Sequence, residues 1–110
     1  MSAPELQEVQ QSVFDVLTWV RARPGMYIGE PSITRLAAFL TGYTAGLGHV
    51  GYGLRDSERF YAFNDWVAHR LGLSNSTSGW GNMILGKTGN EKEAFQRFFK
   101  LLDDFRAEAV

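Results

Sequence analysis

Cysteine is absent from the 110 residues, which excludes disulfides, thiolate zinc sites and cysteine nucleophiles. No apolar run approaches the roughly 18 residues that a membrane span requires. The opening stretch "MSAPELQEVQQ" has neither the basic nor the apolar region of a signal peptide. Neither sign of charge dominates, because 11 Lys and Arg face 12 Asp and Glu, so no basic field favours nucleic acid or an anionic membrane. We therefore expect a cytoplasmic protein without membrane or nucleic-acid partners.

Aromatic residues are plentiful: the chain holds eight Phe, four Tyr and three Trp and is 45% hydrophobic. That content is enough for a packed core and argues against disorder. The length suits one domain, so we expect residues 1–110 to fold as a single unit.

Apolar residues recur at steps of three and four in two early segments, which predicts two helices. The first is expected over residues 4–22, where Pro24 and Gly25 end it. The second is expected to start at Ser32 as N-cap and to end in the glycine-rich stretch 48–53. On its face Ala37 and Thr44 are small enough to allow close approach of a neighbouring helix. The apolar positions of the two helices are Leu6, Val9, Val13, Leu17 and Val20, then Ile33, Leu36, Leu40, Tyr43 and Leu47.

Three further helical segments follow. Ser57 is expected to cap a third helix that ends at Gly72, and a short apolar helix is expected over 80–86, ended by Gly86. Asn90 with Glu93 resembles a capping box that opens a last, phenylalanine-rich helix. Only "MYIG" and "ERFYAF" carry any strand signal. The fold class predicted is all-α, a compact bundle of four main helices plus one short helix around an aromatic-rich core.

Residues Val20–Gly29 read "VRARPGMYIG" and resemble a segment near the start of the ATPase domain of the type II topoisomerase B subunits. That family's chemistry depends on a Glu and an Asn on the following helix, and on an Asp-x-Gly-x-Gly segment. Here the following helix, "SITRLAAFLTGYTAGLGH", holds no Glu, Asp or Asn, and Asp-x-Gly-x-Gly does not occur. We therefore expect the segment to be architectural, with Met26, Tyr27 and Ile28 packing across the bundle and Gly29 allowing the turn. Whether Tyr27 is a packing staple or a contact residue stays open.

Residues Gly81–Thr88 read "GNMILGKT" and satisfy the P-loop pattern G-x-x-x-x-G-K-[ST]. A true P-loop follows a buried strand, whereas the preceding "SNSTSGW" is polar. The three bulky apolar residues inside the motif favour a short core helix. A nucleotide or small-molecule domain that uses Arg21–Gly29 and Gly81–Thr88 remains the alternative.

No catalytic constellation, metal site or cofactor site is predicted. His49 stands among glycines, and His69 follows Asp65 by one helical turn without a nucleophile or a second metal ligand nearby. We therefore expect a protein that is not an enzyme and needs no cofactor.

Three stretches resemble small bacterial proteins of the immunity type, which neutralise a cognate toxin. They are "RPGMYIGEPSITRLAAFLTGY" (23–43), the Gly79-Trp80 pair and "EAFQRFFKLLDDF" (93–105). The resemblance implies a bacterial cytoplasmic protein whose partner is a toxin domain bound directly. A non-catalytic subunit of a larger complex is a further alternative, and the oligomeric state is left open.

Arg, Tyr and Trp dominate binding energy at protein interfaces, which makes four residues the first candidates for partner binding. They are Arg21, Arg23, Tyr27 and Trp80, although the two aromatic ones also suit the core. Asp103 and Asp104 join them because acidic residues near a helix C-terminus oppose the helix dipole, and a partner contact would justify that position.

Overall fold

Helices make up most of the computed structural model, which describes residues 5–108. The elements in chain order are β1 (Gln7–Ser12), α1 (Val13–Ala22), α2 (Pro24–Ile28), α3 (Ile33–His49), β2 (Tyr52–Arg55), α4 (Ser57–Tyr61), α5 (Phe63–Arg70), α6 (Trp80–Thr88) and α7 (Glu91–Glu108). The expected helical globule with an aromatic core is confirmed. The all-α class is wrong in one respect, because β1 and β2 pair as a two-stranded parallel sheet.

The predicted helix over residues 4–22 is wrong in its first half, where β1 forms instead. Leu6 is 53% exposed, and Val9 is only partly buried where it packs against the core, so neither continues the fully buried face that Val13 begins. Ser12 ends β1 and caps α1 through a capping box with Asp15. The Ser12 hydroxyl accepts from the Asp15 N–H at 3.2 Å, and the Asp15 carboxylate accepts from the Ser12 N–H at 2.9 Å. The helix therefore begins at Val13.

The sheet joins two parts of the chain that are far apart in sequence. Gln7 lies opposite Tyr52 and its N–H donates to the carbonyl of Gly51 at 2.9 Å. The register is irregular between Glu8 and Ser12, and the Arg55 guanidinium donates to the Gln10 carbonyl within that stretch. The helices α1 to α3 form the crossover connection that a parallel pair requires.

The Pro-Gly break occurs where it was expected, since α1 ends at Ala22. Pro24 then occupies the first position of a separate one-turn helix, α2, where its missing N–H costs nothing. Gly29 follows with φ of 86°, a conformation that favours glycine, and turns the chain toward α3. Ile28 packs inward as expected, but Met26 is 69% exposed, so that part of the packing expectation is wrong.

Helix α3 begins as predicted, because the Ser32 hydroxyl accepts from the Arg35 N–H at 3.2 Å. Its first half is buried through Ile33, Leu36 and Leu40. The second half carries no buried residue and runs on to His49, into the stretch that was expected to end the helix.

The third predicted helix is two helices, α4 and α5, that meet at Ala62. Its cap is Asp56 in the left-handed conformation rather than Ser57, whose hydroxyl instead donates to the Leu54 carbonyl at 2.7 Å. Gly72 has a φ of 72°, which agrees with its predicted place just past the end of the helix.

The last two helices differ little from expectation. Helix α6 runs past Gly86 to Thr88 and ends at Gly89, whose φ is 101°. Asn90 accepts from the Glu93 N–H at 2.9 Å, which is one of the two hydrogen bonds of the predicted capping box; the reciprocal bond to the Glu93 carboxylate is not among those of residues 5–108.

The core is centred on Phe63, which is 0% exposed. Its ring stacks on Phe60 at 5.7 Å and on Trp66 at 5.9 Å. It meets Phe98 and Phe105 of α7 edge to face, at 5.5 and 5.3 Å. Such pairs contribute about 0.5–1.5 kcal/mol each beyond area burial, so one ring joins α4, α5 and α7.

We expect Phe63→Ala to lower the free energy of unfolding by about 3–5 kcal/mol, because it removes the central ring and leaves a cavity. Phe63→Leu should cost about 1–2 kcal/mol and supplies the measurement if the alanine variant does not fold. Urea denaturation monitored by circular dichroism gives both values. The matched control is Tyr61→Ala, because Tyr61 is 77% exposed and should change stability by no more than about 0.5 kcal/mol. Equal losses at the two positions would contradict the central role of Phe63.

Candidate functional site

An open cleft of about 500 Å³ lies between α3, the α4–α5 segment and the start of α6. Helix α3 contributes one face of small and hydroxyl residues, and α6 approaches that face closely. A Cβ on Gly81 would stand 3.4 Å from the Cβ of Ala37, so the close helix contact expected at Ala37 is present. The lining residues are Val13, Thr34, Ala37, Leu40, Thr41, Thr44, Ser57, Phe60, Tyr61, Asn64, Ser78, Gly79, Trp80, Gly81 and Asn82. We call this feature the α3–α6 cleft.

The floor of the α3–α6 cleft is aromatic. Phe60 and Trp80 meet edge to face at 6.0 Å, and both are buried in the core cluster. Tyr61, at the rim of the cleft, differs from these two residues because its aromatic side chain is 77% exposed. The cleft therefore combines a rigid apolar floor with a freely accessible aromatic rim.

Most polar groups of the cleft are already hydrogen-bonded within the protein. Asn64 accepts from the Trp80 N–H at 2.9 Å and donates to the Tyr61 carbonyl at 3.3 Å. Thr44 donates to the Leu40 carbonyl at 3.0 Å. These bonds hold the walls in place, because Asn64 ties α5 to the first turn of α6.

Three hydroxyl groups that line the cleft have no hydrogen-bond partner within residues 5–108. They are those of Thr41, Tyr61 and Ser78. The part of the lining that the structure describes includes no Lys, Arg, His, Asp or Glu. The cleft thus offers apolar contact and neutral hydroxyl groups.

The structure brings two of the predicted partner-binding residues together. Arg21 donates to both carboxylate oxygens of Asp103, at 3.0 and 3.1 Å, and its guanidinium lies 5.2 Å from the Phe99 ring centroid. Both side chains are about half exposed. A bidentate pair of this kind is worth at most about 1 kcal/mol at the surface, so it orients the two groups more than it stabilises the fold.

Asp104 belongs to a second pair on the same helix. It accepts from Arg70 at 3.0 Å, and the Arg70 guanidinium lies 5.1 Å from the Trp66 ring centroid. Arg23, by contrast, is exposed between α1 and α2. The acidic pair at the end of α7 is therefore matched by arginines from α1 and α5.

The two predicted aromatic residues lie in different surroundings. Tyr27 is half-buried and meets Phe39 edge to face at 6.1 Å, so part of its ring is packed and part is accessible. Trp80 is 9% exposed and packs against Phe98 at 4.6 Å between centroids, while it also lines the α3–α6 cleft.

The segment with the P-loop pattern, Gly81–Thr88, lies inside α6. From Met83, whose N–H donates to the Gly79 carbonyl at 3.1 Å, the backbone N–H groups of this segment point along the helix axis to carbonyls four residues back, so they cannot wrap a phosphate as a P-loop does. Lys87 stands in the last turn of α6 and not at the start of a helix. This agrees with the core-helix interpretation.

Metal-binding geometry is missing from the described residues 5–108, where no group of three or more His, Cys, Asp and Glu side chains could hold an ion. His49 and His69 are both exposed, and Asp65 accepts from the Ser76 hydroxyl rather than orienting His69.

Glu91 connects the first turns of α3 and α7 beside the cleft. Its carboxylate accepts from the Ser32 hydroxyl at 2.9 Å, from the Thr34 N–H at 2.9 Å and from the Thr34 hydroxyl at 2.6 Å. The hydrogen bonds from the Thr34 side chain and backbone, aided by Ser32, lower the pKa of Glu91 below its ordinary value of 4.5, against a smaller opposing effect of burial.

We expect this contact to make stability depend on pH. Because the folded pKa is lowered, the stabilisation is present above pH 4.5 and is lost as the pH falls through the folded pKa. Glu91→Gln should therefore destabilise the protein at pH 7, and the difference from the parent should shrink below pH 4.5. Urea unfolding at pH 7, 4.5 and 3 measures this.

The matched control is Glu93→Gln, in the same first turn of α7 but without a hydrogen bond from α3. It should have a smaller effect at pH 7. A difference between Glu91→Gln and the parent that stays constant from pH 7 to 3 would contradict the assigned role of Glu91.

The cleft residues were missed as site candidates, apart from Trp80 and, within the nucleotide alternative, Gly81 and Asn82. The only sequence signal for them is the run of small and hydroxyl residues on one face of α3, which was used for helix packing alone.

Among residues 5–108 no helix has the length and apolarity to cross a membrane. Comparison of the chain with protein-family models, curated proteins and solved structures finds no match.

Proposed function

We propose that this chain is a small protein-binding module, of the immunity type, that neutralises a toxin domain by direct binding in the cytoplasm and without catalysis. The observation that carries the proposal is the α3–α6 cleft with its exposed rim residue Tyr61. Interface hot spots are typically aromatic anchors seated in preformed pockets. A cleft with an aromatic floor beside an accessible tyrosine meets that description.

The chemistry of the cleft favours a protein over a nucleotide. Phosphates are held by arginine, lysine or free backbone N–H groups, and the lining described above is uncharged. Two of the N–H groups at the start of α6 are already bonded, that of Trp80 to Asn64 and that of Met83 to the Gly79 carbonyl. A partner side chain needs only shape and apolar contact, which Phe60 and Trp80 supply.

The rigidity of the site also supports an inhibitor. Asn64 bonds both α6 and the end of α4, and Glu91 holds α3 to α7. A preorganised surface loses little conformational entropy on binding. The oriented pairs Arg21–Asp103 and Arg70–Asp104 give the end of α7 a fixed pattern of charge that a partner can match.

The test uses the protein encoded directly upstream of this gene in its source genome, because immunity genes typically follow the toxin gene. Co-expression should restore growth of a bacterial host that produces the upstream protein's C-terminal domain. The two purified proteins should form a stoichiometric complex in size-exclusion chromatography. Thr41→Arg should weaken that complex by roughly tenfold or more, measured by calorimetry, because it places a charged side chain in the cleft.

The control is Gln96→Arg, which adds the same side chain on the exposed face of α7, outside the cleft. It should leave affinity unchanged. Absence of both rescue and binding would contradict the immunity role. A stoichiometric partner that is not toxic would favour a subunit of a larger complex instead. Stabilisation by ATP and magnesium that disappears in Lys87→Ala would favour the nucleotide alternative.

A further inference from the structure

We draw no further inference here: the strongest candidate, the open α3–α6 cleft with the exposed Tyr61 at its rim, belongs to the site already described, and nothing in the structure shows what covers it.

Discussion

The contact on which the rest of the structure depends is the packing of Phe63 against the aromatic side chains of three other elements. It joins Phe60 of α4 and Trp80 of α6 to Phe98 and Phe105 of α7. Aromatic rings suit this purpose because each buries a large area and holds its neighbours at a defined angle. The floor of the α3–α6 cleft is one side of this cluster, so the candidate site is positioned by the core.

Hydrogen bonds at helix starts then fix how the elements meet. Ser12 with Asp15 separates β1 from α1, and Asn64 caps α6 from a different helix. Glu91, in the first turn of α7, accepts a hydrogen bond from the Thr34 N–H in the first turn of α3. Each bond satisfies an N–H group that a helix leaves without an internal partner, and the last two also bind separate segments together. The walls of the cleft are therefore held by the capping of helices.

Several helix boundaries could be predicted from the sequence by local rules, although the same rules failed for the Ser57 cap and the Gly86 stop. The Ser32 cap, the Pro24 break, the Gly72 stop and the Asn90 cap depend on residues within one turn of each other. The parallel sheet could not be predicted from the sequence, because Gln7 and its neighbours have weak strand preference and pair with a segment more than 40 residues away. The cleft could not be predicted for the same reason, because its lining residues come from four segments of the chain that only the folded structure brings together.

By itself the amino-acid sequence determined the composition of the core, its lack of thiol chemistry, its balanced charge and most helix boundaries. These depend on residue type and on spacings of three to four positions, which remain the same in any tertiary arrangement. The tertiary structure alone decided that the helix containing Gly81–Thr88 packs against Ala37, that Arg21 meets Asp103, and that Tyr61 stands at the rim of a neutral cleft. Those facts depend on which distant segments the aromatic cluster brings together, and no local pattern carries that information.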